Sequence, residues 1–161
     1  MQLTYKHPFN KSSIKLELSE QALTSIDVLE RSNASDTQIT NFIERMNLSA
    51  EMKLIFHKLA SFTMNIGKKV IQFGKKVTEL VIMFASKHKK LTITLLLGLI
   101  IGGLIAFCPP IASTLSSFQA PLLGALGIGE IILDNFEAEY PEAISDIRES
   151  LKMFTLFKYI L

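Results

Sequence analysis

The residues of this chain that titrate or ligate near neutral pH are few: His7, His57, His88 and a single cysteine, Cys108. The histidines fall in separate stretches, with no HxxxH or HExxH spacing that would put two imidazoles on one helix face for a metal. No serine or cysteine sits between glycines in a nucleophile elbow. The sequence therefore predicts no catalytic residues, no metal ligands and no cofactor-binding residues, and the expectation is a protein that is not an enzyme. Cys108 alone rules out an internal disulfide and a thiolate metal site within one chain, the usage of a protein facing a reducing compartment. The repeat Gly67-Lys68-Lys69 and Gly74-Lys75-Lys76 is not a phosphate loop. Six residues separate its glycines where that loop has four, and Lys75 is followed by Lys76 where a Ser or Thr is required. One carboxylate stands out, Glu130, because it lies beside apolar segments, where an ionisable side chain is a functional candidate by default; a position at headgroup level is the plainer reading.

What would position Glu130 is the stretch 91–107, LTITLLLGLIIGGLIAF, with no charge and no polar side chain beyond Thr92 and Thr94. As a helix it would span about 26 Å at 1.5 Å per residue, close to the roughly 30 Å of a bilayer core. It is apolar all round, unlike an amphipathic surface helix, and so reads as a membrane span. Mean hydropathy is +0.32 over 161 residues, and the apolar excess lies within 91–133. Residues 118–133, FQAPLLGALGIGEIIL, read as a second, returning span after the Cys108-Pro109-Pro110 break. Gly98 and Gly102, with Gly124, Gly127 and Gly129, supply the small-residue spacing that lets membrane helices approach or line a pore.

Charge is uneven along the chain. Between residues 53 and 90 there are nine lysines and one acid, Glu79; between 130 and 149 there are seven acids and one arginine. Lys68, Lys69, Lys75, Lys76, Lys87, Lys89 and Lys90 are expected to meet anionic lipid headgroups and set orientation, with both termini cytoplasmic by the positive-inside rule. Net charge of only +2 and the lack of interleaved aromatics give no case for nucleic acid. The N-terminus has no secretory-signal pattern, so 91–107 would itself direct insertion into a cytoplasmic or inner membrane.

The remaining elements follow from periodicity. Residues 2–6 could form a short strand and 13–18 alternate as one; the two could pair as a hairpin, the other reading being an extended arm. Helices are predicted from Ser19 to a polar stop at Ser32-Asn33 and over 36–46. Ser49 caps a long amphipathic helix running to about Lys87, whose seam of Ile55, Leu59, Phe62, Ile66, Val70, Phe73, Val77, Leu80 and Phe84 recurs at three and four residues. Gly67 and Gly74, two turns apart on that helix, suggest close approach of a partner. The seam and its glycines are the expected oligomer interface. Pro141 opens a final amphipathic helix with an apolar tail.

The sequence thus describes a mainly all-α integral membrane protein. It divides into an N-terminal segment 1–48, a basic helix 49–90, a transmembrane hairpin 91–133 and an acidic linker with a C-terminal helix 134–161. The expected function is that of a small membrane subunit that forms homo-oligomers or docks into a larger membrane complex. A pore-forming or holin-like permeabilising protein is the alternative, and a helical bundle that hides the hairpin until it inserts is a third reading.

Overall fold

The computed structural model describes residues 1–30 and 34–161. It divides into two compact units, Met1–Glu79 with Met153–Leu161, and Leu80–Lys152. The chain is mainly helical with a small four-stranded antiparallel sheet.

In the first unit the N-terminal strands pair as a hairpin and do not form an extended arm, β1 (Gln2–Lys6) against β2 (Ser13–Glu17), with Leu3 opposite Leu16 and Tyr5 opposite Ile14. Two strands alone would be marginal; here β3 (Met64–Ile66) and β4 (Lys69–Ile71) extend the sheet in the order β2-β1-β3-β4. Period-two alternation turns Leu3, Tyr5, Met64, Ile66 and Ile71 inward, all buried. The core is completed by a 3-10 turn (Glu20–Ser25), α1 (Ile26–Glu30), α2 (Asp36–Arg45) and α3 (Ala50–Ala60). α2 begins in a capping box, Ser35 with Gln38, satisfying two orphan amides. The predicted stop at Ser32-Asn33 lies outside the described residues. Edge-to-face rings run from Tyr5 to Phe62 to Phe73, and from Phe73 to Phe154 and Phe157, each step 5.4 or 5.5 Å. Those last two rings belong to the apolar tail, a 3-10 segment Lys152–Tyr159 that buries inside this unit.

The single helix predicted from Ser49 to Lys87 does not form. Ser49 caps α3 as expected, its Oγ accepting from the Met52 amide at 3.2 Å, but the helix ends at Ala60. Beyond it Phe62, Met64 and Ile66 are buried while Ser61, Thr63 and Asn65 are exposed, a strand pattern that a helix would scatter over its surface. Gly67 then takes φ +58° as the first of two turn residues, with Lys68 the second. This is the conformation a two-residue hairpin asks of glycine. Helix resumes only as α4 (Phe73–Lys87), its start fixed by the Gly74 amide donating to the Phe62 carbonyl at 2.9 Å.

The second unit is helical: the end of α4, α5 (Ile93–Phe107), a 3-10 turn (Pro109–Ile111), α6 (Ala112–Leu126), a 3-10 turn (Leu133–Phe136) and α7 (Pro141–Leu151). The second apolar helix is displaced from its predicted place over 118–133. It starts six residues earlier, directly after the Pro109-Pro110 turn, and tolerates Pro121 in its interior. It stops at Gly127, whose φ is +69°; the Gly127 amide donates to Gly124 O and the Ile128 amide to Leu123 O. That paired reach back is a Schellman ending, and 128–132 continues as irregular chain with a bend at Gly129.

Candidate functional site

The apolar α5–α6 pair is the candidate site. Thr92 caps α5 through Oγ1, which accepts from the Leu95 amide at 3.2 Å. Every residue from Leu96 to Leu104 is buried, so no face of this helix meets solvent through its middle. α6 is different: Thr114, Leu115, Phe118 and Leu122 are buried along one stripe, while Ser113, Ser116, Ala120, Gly124 and Ala125 face outward. The two segments Ile93–Phe107 and Pro109–Leu126 are bent by 116° at the proline break. Each helix is 15 residues, about 22 Å at 1.5 Å per residue. Among the described residues no helix is long and apolar enough to cross a membrane, although the bent pair together meets that length and composition.

The GxxxG pair of α5 is occupied by the irregular chain at Ile131, not by the backbone of another helix. A Cβ on Gly98 would meet Ile131 Cδ1 at 2.5 Å, and one on Gly102 would meet the Ile131 carbonyl oxygen at 2.8 Å. Ile131 is buried in that notch, and Gly103 gives the same closeness to Leu133 and Leu151. Gly124, Gly127 and Gly129 have nothing near them, and Glu130 is exposed beside them. Two side-chain clamps join α7 to the rest of this unit. Lys87 Nζ and His88 Nε2 both reach Asp146 Oδ2, at 2.9 and 2.7 Å. These bonds, Lys87's first and His88's second, hold the Asp146 carboxyl below the usual carboxylate range. Arg148 reaches both Glu137, at 2.8 Å, and Asp134.

The predicted oligomer seam is distributed through the chain's own cores. Ile55, Leu59, Phe62, Ile66, Phe73 and Val77 are buried in the first unit and Leu80 and Phe84 in the second, while Val70 is exposed on β4. Gly67 serves its turn, and Gly74 does have a close neighbour: a Cβ there would lie 1.5 Å from the Leu59 carbonyl oxygen. The close approach inferred from that glycine is real and is internal to the chain. The orientation lysines are likewise separated, Lys68, Lys69, Lys75 and Lys76 in the first unit and Lys87, Lys89 and Lys90 in the second. Lys69 pairs with Glu30, Lys75 with Asp36, Lys76 with Glu79 and Lys87 with Asp146.

His7, His57 and His88 lie in the β1–β2 turn, on α3 and after α4. Among the described residues no group of three or more His, Cys, Asp or Glu side chains could hold a metal ion. The two contributions that sequence reasoning missed are Ile131 and the Asp146 clamp. Ile131 follows a glycine-rich run that resembled helix, and Asp146 is far in sequence from Lys87 and His88. Compared with known protein families, with curated proteins and with solved structures, the chain finds no match.

Proposed function

We propose that this chain is a non-enzymatic membrane protein whose α5–α6 pair enters the bilayer, and that it acts by assembling with its own copies or by docking as a small subunit of a larger membrane complex. The observation that carries this reading is the absence of any charged side chain from residue 91 to 129. A surface helix needs only an apolar stripe, and apolarity right round belongs to a helix enclosed by protein or by lipid; an uncharged run of this length supports lipid. Lys87, Lys89 and Lys90 directly precede α5 and are exposed, where each is worth roughly 1 kcal/mol against an anionic leaflet. That asymmetry supports both termini on the cytoplasmic side.

A permeabilising role is the second reading, favoured by the outward face of α6, where Ser113, Ser116 and small residues could line a wet surface. One experiment separates the two. The purified chain is floated with vesicles containing phosphatidylglycerol and a trapped dye. Membrane association with tight vesicles is the expected result. Dye release that falls on replacing Gly124 and Ser116 with leucine supports the pore, and a chain left at the bottom of the gradient overturns both.

A further inference from the structure

We propose that a basic groove on the first unit binds a phosphoryl group, as a phosphomonoester held by Lys6, Lys11 and Lys58 with Thr63 and Asn65. This site is independent of the α5–α6 reading. The groove, about 340 Å³, is lined by those three lysines and by no acid. Its construction follows from the sheet. The antiparallel register that sets Thr4 opposite Asn65 carries Lys6 toward Thr63, so the outward-facing positions of β1 and of the chain entering β3 fall side by side. Among the described residues, neither the Thr63 nor the Asn65 side chain has a hydrogen-bond partner, and Lys6 and Lys11 have no acidic partner. Lys58 is held in place from α3, its ammonium 4.8 Å over the ring of Phe9.

The β1–β2 turn that brings Lys11 in is tightly built. The His7 amide donates to Ser12 O, the Lys11 amide to His7 O, and His7 Nδ1 accepts from the amides of Phe9 and Asn10. Within it Lys11 stands at φ +63°, a left-handed conformation that a side chain with Cβ adopts at a cost. Three lysines line this groove with no carboxylate among its lining residues, and a dianion with several terminal oxygens would offset their like charge while accepting from Thr63 and Asn65. The other lysine-rich groove, at Lys87, Lys89 and Lys90, differs in being lined also by Glu139 and Glu142, whose carboxylates offset part of its charge.

Titration of the full chain with inorganic phosphate, followed through the amide resonances of Lys11, Thr63 and Asn65, tests the site. Saturable shifts that chloride at equal ionic strength does not produce are expected. Lys6→Gln with Lys58→Gln should weaken phosphate binding roughly tenfold or more, since hydrogen bonds to charged groups are lost. Lys15→Gln with Lys68→Gln, the same charge removed elsewhere, should leave it unchanged within about twofold. Unchanged melting of both double variants would show that neither perturbs the fold. Vesicles of phosphatidic acid distinguish the source: a loss of vesicle binding in the groove variant alone assigns a lipid headgroup, and a loss confined to free phosphate assigns a soluble phosphomonoester. No saturable shift, or equal weakening by both pairs, overturns the proposal.

Discussion

The two units solve the burial problem in opposite ways. In the first, burial follows one face of β1, β3 and α2: every second residue of β1 and β3 is buried, and Ile39 and Ile43 mark one stripe on α2. The remaining faces carry ion pairs such as Lys75 with Asp36. In the second, α5 is apolar on every side and depends on α6, α7 and the chain around Ile131 to cover it. The first pattern is that of elements with one buried face and one face in water. The second is that of a helix enclosed on every side, and its uncharged run over 91–129 is the feature on which the membrane proposal rests.

Glycine substitution is the sharpest way to set the two units against each other. Gly74→Ala places a Cβ 1.5 Å from the backbone oxygen of Leu59, which no rotamer change relieves. A loss of about 3 kcal/mol or more is expected, read as a drop in the denaturant midpoint, with vesicle association unchanged. Gly102→Ala meets the Ile131 oxygen at 2.8 Å and should cost about 1–3 kcal/mol. Here the membrane readout should move the other way. The substitution loosens the cover over α5 while leaving the helix as apolar as before, so the vesicle-bound fraction in flotation should rise. A rise in the Gly74 variant equal to that in the Gly102 variant would mean that general unfolding, not exposure of α5, drives association.

The smallest expected effect is electrostatic. Asp146→Asn removes the shared partner of Lys87 and His88, at a cost of about 1 kcal/mol given the exposure of Lys87. Because the Asp146 carboxyl is held below its ordinary range by those two donors, its contribution is complete above the unfolded carboxylate value near about 4 and disappears as pH falls through the lowered folded value. The stability gap between wild type and Asp146→Asn, followed by thermal melts, should therefore close on acidification and stay constant from about pH 5 upward, within the carboxylate's own range.

Much of this fold was legible where a single period ruled. The alternation of Ile14 and Leu16, the cap at Ser49 and the proline opening of α7 all lie where local pattern places them. The central misreading came from two periods sharing the same residues. Phe62, Ile66 and Phe73 fit three- and four-residue spacing, yet Phe62, Met64 and Ile66 also fit a spacing of two, and Gly67 followed by Lys68 is a hairpin turn. Glycine was the arbiter, and its helical repeat with Gly74 concealed it. The site was legible as composition but not as geometry. That Gly98 and Gly102 receive Ile131, and that Asp146 returns to Lys87 and His88, depends on long-range contacts that no local pattern encodes.

The central claim, that α5 and not the first unit meets the bilayer, is tested most directly by spin labels on the full chain in a Cys108→Ala background. One label replaces Ala106 on α5 and the other Thr37 on α2, both exposed positions. Added phosphatidylglycerol vesicles should make the label at 106 accessible to oxygen and shielded from a water-soluble nickel chelate, while the label at 37 stays open to the chelate. Equal accessibility of both labels to the chelate, with the chain bound to the vesicles, would contradict the account.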